Sequence, residues 1–127
     1  MPSHKRYEFS VTIATAFVPD QSDVEQNRYV FSYNVIITNV GSVTAQLISR
    51  HWVITDANNS VQEVRGLGVV GVQPLLRPGE HFEYTSGAVL NTPVGTMHGS
   101  YQMVAEDGKQ FDTMIDPFTL SMPRILH

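Results

Sequence analysis

The sequence contains no cysteine, and that absence excludes several classes of site at once. A disulfide framework, a zinc ribbon, an iron–sulfur cluster and a cysteine nucleophile all require this residue. Long apolar runs are also missing, because the longest aliphatic run within a strand pattern is Val35–Ile37, far too short to span a bilayer. Residues 1–10 are not followed by the apolar segment of a secretory signal, so we expect a cytoplasmic protein.

Basic residues are scarce as well. Eight Lys and Arg residues against twelve Asp and Glu residues leave a formal net charge of −4. This balance argues against broad electrostatic binding to nucleic acid or to an anionic membrane. The chain is 42% hydrophobic and 16% charged, a composition that is not typical of disorder. Its 127 residues have the size of one ordinary domain, and we predict a single domain over residues 1–127.

Helical periodicity is nearly absent, whereas alternation of apolar and polar residues dominates the chain. β-Branched and aromatic residues fill the alternating segments, which favours strands with one buried face. We predict an all-β fold, an immunoglobulin-like or fibronectin-III-like antiparallel β-sandwich of about seven to nine strands, with Trp52 central in its core. The polar and acidic residues 18–28 predict the most mobile loop. The predicted strands cover residues 7–17, 29–37, 43–55, 61–64, 69–72, 80–85, 97–105 and 109–122.

Two turns have a specific chemistry. Pro78-Gly79 predicts a type II turn, because proline presets φ at the second position and glycine tolerates positive φ at the third. Asp107-Gly108 is the strongest hairpin signal. A three-residue loop with Gly108 in the left-handed region keeps the apolar residues of both strands on one face. It predicts three pairs: Met103 with Phe111, Tyr101 with Thr113, and Gly99 with Ile115.

The segment Gly66–Gly71 matches the glycine pattern G-x-G-x-x-G. In dinucleotide-binding domains this pattern leads into a helix that holds the pyrophosphate. Here Gln73-Pro74 and Pro78-Gly79 follow, so no helix of useful length begins after Gly71. Two interpretations are left. Backbone N–H groups beside Arg65 or Arg77 form an anion nest, or the segment is a structural loop that sends Val69, Val70 and Val72 into the core.

No catalytic or metal-binding constellation can be assembled from the sequence. There is no G-x-S-x-G motif, and nothing places a base near Ser86. Asp107, Asp112 and Asp116 are candidate ligands for a hard cation, although carboxylates alone do not define such a site. We therefore expect no catalytic residue, no cofactor and no metal site. The histidines also lack the spacing of metal ligands; they are His4, His51, His81, His98 and His127.

Two apolar, glycine-containing segments are candidates for an interaction surface. Residues 66–74 are apolar and rich in glycine, and residues 87–95 contain Leu90, Pro93 and Val94. Exposed together, such loops would form an apolar patch of the kind that marks an interaction site. A free sheet edge could also accept a strand from a partner.

The motifs resemble those of the ApaG family, also called CorD. The resemblance begins at His51-Trp52-Val53-Ile54-Thr55-Asp56-Ala57 and covers nearly the whole chain. Asn59 stands where the family is expected to have glycine, and asparagine also tolerates the left-handed conformation. The resemblance continues through residues 63–74, Pro78-Gly79-Glu80, Phe82, Tyr84-Thr85-Ser86-Gly87, residues 92–97 and Gly99-Ser100-Tyr101.

The resemblance implies a fibronectin-III-like sandwich and a small bacterial protein of unassigned biochemical activity, linked to cobalt resistance and magnesium efflux. It also implies a relationship to eukaryotic proteins in which the domain acts as an interaction module. For the glycine motif, a nucleotide or pyrophosphate site has been suggested in the family.

Our leading hypothesis is a non-enzymatic domain that binds another protein through the glycine loop and its neighbours. One alternative is a phosphate-bearing small molecule bound by backbone N–H groups and an arginine, and a second is direct binding of a divalent cation. The oligomeric state stays open. The candidate binding residues are Arg65, Gly66, Gly68, Gly71, Gln73, Pro74 and Arg77.

Overall fold

The computed structural model describes residues 6–123. In this part of the chain, segments with alternating apolar and polar side chains form eight strands. The only helical elements in these residues are the 3-10 turns Pro19–Gln21 and Val24–Gln26. Both lie in the segment predicted to be most mobile, and its mobility stays a prediction. The strands are β1 (Phe9–Phe17), β2 (Tyr29–Asn39), β3 (Ala45–Asp56), β4 (Val61–Leu67), β5 (Leu75–Leu76), β6 (His81–Leu90), β7 (Val94–Ala105) and β8 (Gln110–Ser121).

The strands form two antiparallel sheets that pack face to face. The first has the order β1-β2-β6, and the second has the order β4-β3-β7-β8, with β5 pairing with β3 beyond the end of β4. β1 contacts β8 at one side of the sandwich, so β6 and β4 lie at the other side. The predicted all-β sandwich is confirmed.

The core lies between the inner faces of the sheets and is centred on Trp52, as predicted. The Trp52 ring contacts Tyr33, Tyr101 and Phe118 at centroid distances of 5.4, 6.2 and 5.9 Å. Edge-to-face geometries of this kind favour aromatic pairs beyond the burial of their area. The core is therefore continuous from one sheet to the other.

The hairpin between β7 and β8 has the predicted three-residue loop. Gly108 has φ of 90°, and its N–H donates to the carbonyl of Ala105. The pairs Met103–Phe111, Tyr101–Thr113 and Gly99–Ile115 are all present. The type II turn at Pro78-Gly79 also agrees with the structure, where Gly79 has φ of 87°.

The predictions for two apolar segments are wrong in part, and one short strand was missed. Val69 enters the core, but Val70 and Val72 are exposed, because residues 69–72 form a tight turn rather than a strand. β5 was not predicted. The segment 87–95 is a loop only in part: its first residues complete β6 and bury Leu90, whereas Pro93 and Val94 are exposed.

Candidate functional site

The glycine segment forms a small hairpin that interrupts one edge of the second sheet. The chain leaves β4 at Leu67, and the Gly68 N–H still donates to the Ile48 carbonyl of β3 (2.8 Å). Val69 and Val72 then exchange two backbone hydrogen bonds across the turn. The chain rejoins β3 when the Pro74 carbonyl accepts the Leu47 N–H, just before β5.

The turn at the tip of this hairpin contains a strained valine. Val70 has φ of 44° and Gly71 has φ of 80°, and positive φ at both central residues is typical of a type I′ turn. A β-branched residue rarely adopts positive φ. Gly68 is required for a different reason, because it has φ of 62° and a Cβ there would overlap the Val72 carbonyl oxygen.

Side-chain hydrogen bonds between β3 and the hairpin hold the hairpin in place. Arg50 Nη1 donates to the carbonyls of Leu67 (3.1 Å) and Gly68 (2.8 Å). Gln73 Nε2 donates to Ile48 O, and Gln46 Nε2 donates to Gln73 O. Arg50 is not among the site residues predicted from the sequence. Its alternation in phase with Trp52 and Ile54 indicates an inward-facing side chain, but its position opposite Gly66 depends on the β3–β4 register, which the fold decides.

Four large apolar side chains are exposed along this edge. Leu67 is 75% exposed, Val70 57%, Val72 44% and Leu75 59%. We call these four residues the apolar edge. They lie within nine consecutive residues on a backbone fixed by hydrogen bonds, and such a cluster is typical of an interaction surface.

The structure separates Arg65 and Arg77, either of which was predicted to lie beside an anion nest. Arg65 lies opposite His51, whereas Leu76, just before Arg77, lies opposite Ala45. These two positions of β3 are six residues apart, which corresponds to about 20 Å of extended strand. Arg65 and Arg77 therefore do not converge on one small anion.

Two of the three predicted glycine N–H donors face β3. The Gly68 N–H binds Ile48 O, and hydrogen-bonded pairs alternate along an antiparallel ladder. Gly66, opposite Arg50, is therefore in the next hydrogen-bonded pair. Gln73 acts through its side chain, and Pro74 is buried and contributes its carbonyl to the β3 pairing.

Arg65 borders a polar groove on the outer face of the second sheet. Ser49 Oγ donates to Gln102 Oε1 (2.8 Å), and Gln102 Nε2 donates to Ser100 Oγ (2.9 Å). His51 Nε2 lies 3.1 Å from Glu63 Oε1. The groove has a volume of about 570 Å³ and is lined by Ser49, Arg50, His51, Arg65, Gly66, Leu67, Ser100, Gln102 and Asp112.

A second, smaller cavity opens between the sheets below β4. This lateral cleft has a volume of about 130 Å³. Ser86, for which the sequence places no nearby base, lies here, and no histidine or carboxylate lines the cleft beside it. The lining residues are Tyr33, Arg50, Trp52, Ile54, Val64, Ser86, Gly87 and Met97.

Two buried tyrosines join the sheets close to the cleft. The hydroxyl groups of Tyr84 and Tyr101 are 2.5 Å apart. Burial raises the pKa of Tyr84 to about 12, and burial also raises the pKa of Tyr101. Both phenols are therefore neutral at physiological pH, and their hydrogen bond is part of the core.

A family model described as the ApaG domain matches residues 19–105. The proteins named Protein ApaG from Methylobacillus flagellatus and Thiobacillus denitrificans are 69% and 65% identical to this chain over 127 residues, covering 100% of both sequences in each case. The chain belongs to the ApaG family.

Solved structures of similar proteins have the same fold. The crystal structure of the Bordetella pertussis protein named ApaA matches with a TM-score of 0.93 at 58% identity, covering 97% of this chain and 100% of that one. The X-ray structure of a structural-genomics target matches with a TM-score of 0.87 at 46% identity, covering 94% of this chain and 90% of that one.

The residues that match the ApaG domain model include the apolar edge and the whole lining of the lateral cleft. Asp112, on the far wall of the outer groove, lies beyond that match. Among residues 6–123 no three His, Asp or Glu side chains are grouped to hold a metal ion. No helix in that part of the chain is long and apolar enough to cross a bilayer.

Proposed function

We propose that this ApaG-family chain is a non-enzymatic, cytoplasmic domain that binds another protein through its apolar edge. The observation that carries the proposal is the exposure of Leu67, Val70, Val72 and Leu75 on a hairpin tied to β3 by Arg50 and Gln73. A fixed backbone binds at a lower entropic cost than a flexible loop. Exposed apolar side chains gain free energy when a partner removes them from water.

The strained turn gives this proposal additional support. Holding Val70 at positive φ costs about 1–2 kcal/mol, and asparagine or glycine would avoid most of that cost. The valine is more than half exposed, so its own packing in the monomer does not offset the strain. Contact with a partner is a function that would offset it.

The alternatives have less support. A phosphate-bearing ligand would have Arg65 or Arg77 beside it but not both, because the two are separated along β3, and the Gly68 N–H is already bound to Ile48 O. A titration with ATP and with diadenosine tetraphosphate tests it, because saturable shifts of the Gly66, Gly68 and Gly71 amide signals would favour this ligand class. The link to cobalt resistance and magnesium efflux rests on the family resemblance, and a protein partner involved in cation transport would account for it without a metal ligand on this chain.

Affinity capture from a cytoplasmic extract of the source organism tests the main proposal. The variant is Val70→Asp, which places a charge on the apolar edge and leaves the core unchanged. Val61→Asp is the matched control, because Val61 is equally exposed but lies at the opposite end of β4. We expect one partner to be retained by the wild type and by Val61→Asp and to be lost with Val70→Asp. Equal capture by all three proteins would contradict the proposal.

A further inference from the structure

β4 is a free edge strand whose unpaired backbone groups can be identified. Gly68 N donates to Ile48 O and Asp56 N donates to Ser60 O, so even-numbered residues of β4 face β3. The N–H and C=O groups of Glu63 and Arg65 therefore point away from the sheet. Within residues 6–123, β4 pairs with no strand other than β3. Such an edge is a template for an additional strand.

An added strand would direct alternate side chains toward the lateral cleft. Val64 faces inward and lines the cleft with Trp52 and Met97. A residue opposite Val64 on the new strand would have its side chain on this same face. The cleft has a volume of about 130 Å³, and these three apolar residues line the part of it beside β4, where one aliphatic side chain would fit.

Arg50 places a positive charge beside Gly66, which lies two residues after Val64 on the inner face of β4. A Cβ on Gly66 would lie 2.8 Å from Arg50 Nη1, so the guanidinium group covers the inner side of Gly66. Neither of the two ion pairs found in residues 6–123 involves Arg50. Its Nη1 is held by two carbonyls, which leaves other N–H donors for a carboxylate. A residue opposite Gly66 would place its side chain at this group.

We propose that β4 accepts an extended segment of a partner protein as an antiparallel strand. The segment carries an acidic residue opposite Gly66 and, two positions later, an apolar residue opposite Val64. Antiparallel addition follows the pairing of all the strands described within residues 6–123. This inference rests on the proposed function, since it specifies the chemistry of the protein partner beside the apolar edge.

The probe is the peptide acetyl-Lys-Thr-Asp-Thr-Val-Thr-Lys-amide, titrated into the protein and followed by amide NMR spectra. We expect the signals of β4 and of the cleft residues to shift, and hydrogen exchange at Glu63 and Arg65 to slow. Replacing the peptide's Asp by Asn should weaken binding about tenfold, because a charge-assisted hydrogen bond is lost. Exchanging Val with the Thr before it moves the apolar group to the outer face and should weaken binding similarly. Equal affinity for all three peptides, or shifts away from β4, would overturn the proposal.

Two substitutions at one position separate backbone pairing from side-chain effects. Arg65→Pro removes an N–H that points away from β3, so the fold should persist while binding falls more than about tenfold. Arg65→Thr keeps the N–H and should bind within about twofold of the wild type. If Arg65→Pro does not fold, the test is amide hydrogen exchange at Glu63 and Arg65 of the wild-type protein. Exchange rates that do not change at saturating peptide would overturn the proposal.

The failure of this inference differs from the failure of the proposed function. A natural partner lost with Val70→Asp but retained by Arg65→Pro would leave the apolar edge as the docking surface and reject strand addition. Peptide binding at β4, together with equal capture by Val70→Asp and the wild type, would support strand addition and reject the apolar edge.

Discussion

The guanidinium group of Arg50 occupies the space that a side chain at residue 66 would need. A Cβ on Gly66 would lie 2.8 Å from Arg50 Nη1, and the same nitrogen donates to the carbonyls of Leu67 and Gly68. One inward-facing side chain of β3 thus ties down the start of the glycine hairpin. The glycine pattern in this chain serves packing at a sheet edge, and each of its glycines is required for a different physical reason.

The three glycines should differ in how well they tolerate alanine. Gly68→Ala should lower the free energy of unfolding by about 2–4 kcal/mol, because it combines positive φ with overlap of the Val72 carbonyl. Gly66→Ala should cost only about 1 kcal/mol, since the flexible guanidinium group can move but loses hydrogen bonds. Gly71→Ala should cost about 1 kcal/mol, from the left-handed conformation alone. Urea unfolding followed by Trp52 fluorescence measures the order, and equal losses at all three positions would contradict it.

Val70→Asn should stabilise the protein. Asparagine tolerates the left-handed conformation, and Asn-Gly is a preferred type I′ pair, so we expect a gain of about 1 kcal/mol in unfolding free energy. Val72→Asn is the control, because Val72 is similarly exposed but lies outside the two central turn positions. The same Val70→Asn variant should capture less of the partner. A variant that is less stable than the wild type would show that Val70 is not strained.

Alkaline pH should destabilise the fold through Tyr84. Its pKa is raised by burial from 10.0 to about 12, so the unfolded chain releases the phenolic proton at lower pH than the folded chain does. The stabilisation is complete below about pH 10 and is lost as the pH rises toward 12. The ionisation of Tyr84 lowers the free energy of unfolding by about 2–3 kcal/mol, and the ionisation of Tyr101 acts in the same direction.

Urea unfolding at several alkaline pH values, together with tyrosinate absorbance, measures this dependence. Tyr84→Phe is the informative variant, because it removes one titrating group and leaves the Tyr101 hydroxyl without its partner. We expect it to be about 1–2 kcal/mol less stable at neutral pH and to lose less stability above pH 10. A wild-type protein whose stability does not change between pH 10 and 12 would refute the assignment.

Gly99→Ala should strongly destabilise the fold. Gly99 lies opposite Trp52 in the β3–β7 pairing, and a Cβ there would overlap the His51 carbonyl oxygen, which is backbone and cannot turn aside. We expect the free energy of unfolding to fall by more than about 3 kcal/mol. The neighbouring Ser100→Ala should cost only about 1 kcal/mol, through the hydrogen bond from Gln102. Urea unfolding followed by circular dichroism compares the two, and a Gly99→Ala protein as stable as Ser100→Ala would contradict this packing.

Much of the fold follows from short stretches of sequence. The register of the β7–β8 hairpin could be predicted because Asp107-Gly108 specifies the turn and a slip by one residue would move every apolar side chain to solvent. The burial of Trp52 could be predicted because it alternates in phase with Ile54. The exposure of Val70 and Val72 could not, since their hydrophobicity favoured burial and only the pairing of Val69 with Val72 turns them outward.

Less of the candidate site than of the fold could be predicted from the sequence. The glycine segment was recognised from its composition, but Arg50 was not, because an arginine within a strand pattern normally faces solvent. Arg65 and Arg77 looked equivalent as neighbours of the glycines. Their separation depends on which residues of β3 pair with β4 and which pair with β5.

The sequence by itself determined the strand periodicity, the principal turns and the absence of cysteine chemistry, because each depends on residues a few positions apart. Only the tertiary structure decided that Tyr84 meets Tyr101, that Arg50 covers Gly66 and that β4 keeps an open edge. The physical reason is that these relationships arise from the pairing and stacking of whole strands, which align residues far apart in the chain, and local alternation contains no record of which strand becomes the neighbour of another.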